Sequence, residues 1–233
     1  MNEFNFLHDF LPKYANGTWR MSMREVSSYL RKIDNFFRID EIKIEAKEYK
    51  LEWVEIIDEG GEQEASKFLV QMDRISHETK YNLFLKSSAA MIYSAFETAL
   101  YSVSQVVSDV TEVKINVRKH KKKSDDQRFL GCIGSYARYL IEIHRVEWDE
   151  LDEMWDRINN FRLVRNCIVH EGGELGVNDF DFFDRISTLE SGLHRKGEII
   201  IMDFFYLSQM VELMKDFFAA LCTRLDRRVF IKH

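Results

Sequence analysis

Residues 87–108 read SSAAMIYSAFETALYSVSQVVS, and this stretch decides the fold class. It would form a helix of about six turns, with Glu97 as its single charged side chain. A helix that is apolar nearly all round lies at the centre of a bundle or in a membrane. The six serines, the glutamine and the glutamate disfavour a membrane. We therefore predict the central helix of an all-α bundle and no membrane partner.

The composition of the chain supports long helices. Its 233 residues include one proline and ten glycines, too few for the many turns of a β architecture. The 33 basic and 39 acidic side chains give a net charge of -6. Because the molecule as a whole is acidic, any contact with nucleic acid must come from a local basic patch.

Cysteine usage bears on the compartment and on cofactors. Cys132, Cys167 and Cys222 are odd in number, far apart and without a CxxC pair. This pattern predicts neither a disulfide framework nor a zinc site, and we expect no cofactor and no metal. Free thiols suit a reducing cytoplasm. The first ten residues also lack the basic and apolar regions of a signal peptide.

The glycine-containing break DEGGEQ, residues 58–63, divides the chain. We predict that residues 1–60 are an N-terminal helical arm or extension and that residues 61–233 are the main helical domain. Apolar residues in the first part follow a heptad-like 3-4 spacing: Ile39, Ile42, Ala46, Tyr49, Trp53, Ile56. Parts of this stretch also alternate as a strand would, and we favour a helix because no turn dipeptide separates the alternating halves.

Past the central helix, apolar periodicity predicts helices over residues 125–145, 149–170 and 204–227. The five glycines between residues 172 and 198 predict a loop region. HRKGEIIIMD, residues 194–203, is typical of one arm of a short β-hairpin before the last helix.

Two arginines stand on the apolar stripe predicted for the helix over residues 149–170. On an ideal helix the stripe holds these residues: Leu151, Met154, Trp155, Ile158, Phe161, Val169. Arg162 and Arg165 fall inside it. A guanidinium in such a place must be paired or hydrated, because it cannot lose its charge. Arg165 could pair with Glu97, reach water along apolar surface, or belong to a functional site.

The same helix ends in RNCIVHEGG, residues 165–173, where the glycines are a helix stop. His170 at this end can cap the helix carbonyls, and the helix dipole favours its protonated form. It can also face an open cleft together with Asn166, which lies four residues earlier on nearly the same side. A protonated imidazole is a usable general acid near neutral pH.

The sequence Arg165-Asn166-x-x-x-His170 resembles the Arg-x(4–6)-His motif of the HEPN superfamily, which often has asparagine after the arginine. The likeness extends over residues 80–230, with an apolar helix that holds an isolated polar residue, the motif at a helix end, and a last helix. It implies a HEPN-like up-and-down bundle for residues 61–233. Gly172 stands where some HEPN toxins have a tyrosine, so the chain is not of that type.

What the resemblance implies is a metal-independent endoribonuclease that works as a homodimer, with Arg and His of both copies lining one cleft. The RNA 2′-hydroxyl would attack the adjacent phosphate and leave 2′,3′-cyclic phosphate and 5′-hydroxyl ends. Arg165 would clamp the phosphate, His170 would act as acid or base, and Asn166 would orient them. Glu97 and Arg162 are the expected supporting residues.

A basic run, KINVRKHKKK at residues 114–123, carries six Lys or Arg side chains and no acid. Such a run is either a solvated loop or a contact with the RNA backbone. If RNA is the partner, the expected contacts are four lysines of the run: Lys119, Lys121, Lys122, Lys123.

The functional hypothesis is therefore an RNase in defence or toxin-type growth arrest, with an antitoxin or other regulatory partner as a further expectation. One alternative is a non-catalytic HEPN-like dimer that serves in interaction or nucleotide binding. Another is a plain helical adaptor in which Arg165 and Glu97 form a core ion pair.

Overall fold

The described part of the chain is mostly helical, with a β-hairpin before the last helix. The structure is a computed structural model, and it describes residues 6–55, 62–116, 129 and 131–229. The elements follow in this order: α1 (Phe6–Glu55), α2 (Glu62–Thr111), α3 (Gly131–Arg138), α4 (Asp152–Glu171), α5 (Phe180–Leu189), β1 (Leu193–Lys196), β2 (Ile199–Met202), α6 (Phe204–Val229). The predicted all-α class and the predicted hairpin are confirmed.

Helices α1 and α2 are the longest elements, with 50 residues each, or about 75 Å. Asp34 accepts a hydrogen bond from Tyr81, and Lys47 pairs with Asp73. The later residue of α1, Lys47, thus contacts the earlier residue of α2, Asp73, so the two helices are antiparallel. The choice of helix rather than strand for the heptad-like stretch is confirmed as far as Glu55, where α1 ends.

The core is built around aromatic side chains that α2, α4 and α6 bring together. Trp155 of α4 lies with its ring centroid 5.4 Å from that of Trp148 and 5.8 Å from that of Phe217. Phe96 of α2 closes the cluster at 5.7 Å from Phe217. The predicted central helix therefore does lie in the core. Among the described residues, no helix has the length and hydropathy that would let it cross a membrane.

The first half of α1 belongs to the same core. Trp19 stacks on Phe218 of α6 with ring centroids 5.5 Å apart, and Met23 and Leu30 are buried beside them. The boundary near residue 60 stays a prediction, but this part of α1 packs against the main bundle. Farther along α1, Ile44 is buried outside that core cluster, in the part of the helix where Lys47 pairs with Asp73 of α2.

The region between residues 172 and 198 is not the loop that its glycines predicted. It contains α5, which runs from Phe180 to Leu189. Phe183 and Ile186 are buried at a spacing of three residues, which is helical. All five glycines lie outside this helix, so they mark its flanking turns rather than an unstructured segment.

The hairpin holds the end of α4 in place. HRKGEIIIMD and the preceding Leu193 supply both strands and not one arm, with Leu193 opposite Met202. Gly197 takes a φ of 63° in the turn, a conformation that favours glycine. The segment after α4 then adds to β2, because the Ile200 N–H donates to the Gly173 carbonyl at 2.9 Å.

Candidate functional site

The apolar stripe of α4 moves round the helix toward its end. The buried positions are Trp155, Ile158, Phe161, Val164, Ile168. Val169, predicted on the stripe, is 46% exposed. The prediction was wrong because it kept the stripe straight, whereas the stripe bends to follow neighbouring helices. Arg165 therefore lies at the edge of the buried face and is half-buried.

Among the described residues, Arg165 has polar and aromatic neighbours but no carboxylate partner. Its guanidinium carbon lies 5.4 Å from the ring centroid of Tyr93 on α2. Nη1 donates to Asn166 Oδ1 at 3.1 Å, while the buried Nε has no hydrogen-bond partner. Within the part of the chain that the structure describes, no ion pair joins Arg165 to Glu97 or to another acid. The adaptor alternative with a core ion pair is thus not supported.

Arg162 is held by a neighbour on its own helix. Its Nε donates at 2.8 Å to the Oδ1 of Asn159, a buried amide. This bond fixes the position of the Arg162 Nε atom. The side chain as a whole is half-buried. Arg162 therefore lies one turn before Arg165 with a defined orientation.

Tyr93 is the group around which these charges meet. Burial raises the pKa of its hydroxyl, the Glu97 carboxylate raises that pKa further, and Arg162 and Arg165 oppose the rise. Glu97 is half-buried on the same face of α2, one turn after Tyr93. The two predicted supporting residues and Arg165 are therefore brought into one electrostatic neighbourhood. Tyr93 was not identified from the sequence, although its i, i+4 spacing to Glu97 was a usable signal.

The end of α4 is capped from another helix. Gly172 takes a φ of 66°, and the Gly173 N–H donates to the Cys167 carbonyl at 3.1 Å. Lys86 of α2 donates from Nζ to the Gly172 carbonyl at 2.6 Å. A lysine at a helix C-terminus is favoured by the helix dipole. Lys86, which the sequence did not single out, thus takes the capping role considered for His170.

His170 is exposed at this end. It forms no hydrogen bond or ion pair with the other residues that the structure describes. It borders a cleft of about 200 Å³ between α4 and α5, which Asn166 also lines. Apolar side chains such as Phe182 form much of the remaining wall, and Glu171 and Asp179 add carboxylates to the rim.

Cys167 also lines this cleft but is a poor nucleophile. Burial, followed by the charge of Glu171, raises its pKa to about 11. Its thiol donates to the Glu174 carbonyl at 3.1 Å. A thiol with such a pKa stays protonated at neutral pH, so the cleft offers an imidazole and an amide but no thiolate.

Arg165 and His170 point in different directions within one chain. Five residues along a helix correspond to a rotation of about 140° and a rise of about 7.5 Å. Arg165 accordingly contacts Tyr93 of α2, while His170 borders the cleft next to α5. One chain alone does not bring the guanidinium and the imidazole to face each other.

The proposed RNA-binding lysines, Lys119, Lys121, Lys122 and Lys123, lie outside the described residues.

The described side chains contain no group of three or more His, Cys, Asp or Glu that could hold a metal ion. Comparisons with protein-family models, with curated proteins and with solved structures found no significant match for this chain. The motif residues and their geometry are therefore the basis for assigning a function to this chain.

Proposed function

We propose that this protein is a metal-independent endoribonuclease of the HEPN type. The observation that carries the proposal is the state of Arg165, a half-buried guanidinium that no carboxylate neutralises among the described residues. A buried ion pair would have explained this arginine as part of the core. Without such a pair its charge is not compensated; Nη1 is held by Asn166 and Nε is buried, which leaves Nη2 to meet an anion. A phosphodiester matches the geometry of a guanidinium.

The residue types suit cleavage by the RNA itself. The 2′-oxygen forms a bond to phosphorus while the bond from phosphorus to the 5′-oxygen breaks. A base takes the proton of the 2′-hydroxyl, and an acid gives a proton to the 5′-oxygen; His170 suits either role near neutral pH. Arg165 stabilises the negative charge gathered at phosphorus, and Asn166 orients it through their hydrogen bond. The products are a 2′,3′-cyclic phosphate and a 5′-hydroxyl.

The proposal includes a homodimer with a composite cleft. Arg165 and His170 diverge within one chain, by about 140° round α4. A second copy would supply the missing set of groups, so that one His170 acts as base and the other as acid. Tyr93, Glu97 and Arg162 would support Arg165. Glu97, Arg162 and Arg165 all affect the pKa of the Tyr93 hydroxyl, so the four side chains lie close together.

The test is cleavage of a mixed RNA pool by the purified full-length chain in the presence of EDTA, with analysis of the product ends. We expect cyclic phosphate and 5′-hydroxyl ends. His170→Ala should lower the rate about 10²–10⁴-fold, the usual contribution of a general acid or base. His194 on β1 is equally exposed, and His194→Ala is the matched control that should cleave at the native rate.

Cleavage that survives His170→Ala would contradict this assignment. A native chain that binds RNA or a nucleotide but never cuts would favour the second candidate, a binding or interaction module. That candidate is favoured by the cleft beside His170 and Asn166, which could hold a base without any reaction.

The biological setting belongs to the same proposal and rests on the resemblance. It comprises defence or toxin-type growth arrest in the cytoplasm, control by an antitoxin or other regulatory partner, and RNA contacts from the lysines of the basic run.

A further inference from the structure

Helix α1 carries two apolar seams, and α2 together with α6 covers one of them. The covered seam contains Val26, Leu30 and Ile44, which are buried. The second seam contains Ile39, Ile42, Ala46 and Tyr49, all of them exposed. Ile39, Ile42 and Tyr49 have 56%, 62% and 59% of their surface open to solvent.

The exposed seam lies on the far side of the helix from the covered one. Ala46 follows Ile44 by two residues, which corresponds to about 200° of rotation. Its members have spacings of three, four and three residues, the a and d positions of a heptad repeat. A helix with one apolar stripe needs one neighbour to cover it, whereas a second stripe at heptad spacing calls for another helix.

The charges that flank the seam favour pairing with a second copy of the same helix, in parallel. With Ile39 and Ala46 at a positions, Glu45 takes a g position and Lys50 an e position. In a parallel pair, g of one helix faces the following e of the other, so Glu45 meets Lys50 of the second copy. In an antiparallel pair, e faces e and g faces g, which would put like charges together.

Two symmetry-related contacts would be unfavourable in the parallel arrangement, since Arg38 at g of each helix faces Lys43 at e of the other. Arg38 is already bound to Asp34 within its own chain, with Nε 2.8 Å from Oδ2. Its charge is thereby partly offset. The two Glu45–Lys50 contacts of the symmetric pair therefore decide the orientation.

We propose that residues 38–50 of α1 form a parallel, two-stranded coiled-coil seam with a second copy of this chain. A two-fold axis parallel to α1 puts both bundles at the same end of the dimer. The seam consists of α1 residues alone and includes none of the proposed nuclease residues.

The test is the monomer–dimer equilibrium of the full-length chain, measured by sedimentation over a range of concentrations. We expect the native chain to dimerise at micromolar concentration. Ile39→Glu combined with Ile42→Glu should raise the dimer Kd by about 30-fold or more, the change expected for losing an interface hot spot. Both side chains are exposed in one chain, so helix content by circular dichroism should not change.

The matched control lies on the outer face of α2, where Met72 and Ile75 are similarly exposed. Met72→Glu combined with Ile75→Glu should leave the dimer Kd unchanged. Loss of the dimer in this control, with the α1 variant still dimeric, would place the interface on α2 and overturn the proposal. A native chain that stays monomeric at all concentrations would overturn it as well.

Charge reversal tests the parallel orientation. Glu45→Lys alone should weaken the dimer several-fold, and Glu45→Lys combined with Lys50→Glu should restore it, because the facing pair is complementary again. In an antiparallel pair Glu45 faces itself, so the single change would cause no such loss and the parallel assignment would fail. A native chain that is monomeric would contradict both the seam and the homodimer of the proposed nuclease, whereas a native dimer that the α1 variant leaves intact would contradict the seam alone.

Discussion

Arg157 and Arg165 stand eight residues apart on α4 and have opposite surroundings. Arg157 donates from Nε and Nη2 to the two carboxylate oxygens of Glu190, both at 2.8 Å, and Glu190 is 2% exposed. Arg165 donates to the neutral amide of Asn166 and lies over the ring of Tyr93. The charge of Arg157 is thus neutralised by a carboxylate, whereas the charge of Arg165 is not neutralised within the described residues.

Of the two arginines, only Arg165 is free of a carboxylate among the described residues and can therefore act on a ligand. The donors that Arg157 gives to Glu190 are no longer available, and the pair is part of the scaffold. Glu190 comes from the end of α5, 33 residues further along the chain. No comparable carboxylate reaches Arg165 within the described residues, so an added anion would find an uncompensated guanidinium there.

The largest expected effect concerns stability at the paired arginine. Arg157→Ala removes the partner of a carboxylate that has almost no access to water. Breaking such a pair should lower the free energy of unfolding by about 3–5 kcal/mol, measured in urea. A loss below about 1 kcal/mol, the range of exposed ion pairs, would break the comparison between the two arginines.

The next effect concerns activity at the unpaired arginine. Arg165→Gln should lower the rate of RNA cleavage about 10²–10³-fold, as removing a transition-state donor does, with stability changed by about 1 kcal/mol or less. Arg138 is the matched control: it is half-buried over the ring of Phe129 and its Nε also lacks a partner. Arg138→Gln should keep the native cleavage rate. If unfolding rather than cleavage responds to Arg165→Gln, then this arginine is structural like Arg157.

The smallest expected effect concerns the reactivity of the Cys167 thiol at the end of α4. The raised pKa of Cys167, about 11, leaves little thiolate, so alkylation by iodoacetamide at pH 8 should be on the order of 100-fold slower in the folded chain than in urea. A raised folded-state pKa stabilises the fold fully below the unfolded pKa and loses that contribution as the pH rises through about 11. Exposed Cys132 serves as the internal standard by peptide mass spectrometry. Fast labelling of Cys167 would mean that the cleft also offers a nucleophile.

Local patterns predicted the elements that depend on periodicity. The apolar run around Phe96 identified the central helix, and the heptad-like residues from Ile39 onward indicated that α1 is helical. They failed where a short element is flanked by glycines, as α5 is. They also failed for the apolar stripe beyond Phe161, because a helix wheel cannot include the bend of the stripe toward neighbouring helices.

The candidate site was predictable only in part. Arg165, Asn166 and His170 were identified from their spacing, since that spacing is a property of one helix. Tyr93 and Lys86 were not, because they approach the motif from α2, about 70 to 90 residues earlier in the chain. Their roles depend on how two helices cross, and a single pattern along the chain does not contain that information.

By itself, the sequence determined that this protein forms long helices with a hairpin before the last one, and that the motif residues share one helix end. The reason is that backbone periodicity and helix stops act over a few residues. Only the tertiary structure decided which arginine meets a carboxylate, what caps α4, and which seam of α1 is exposed to solvent. Those outcomes follow from contacts between distant segments, where burial and charge depend on neighbours that no local pattern specifies.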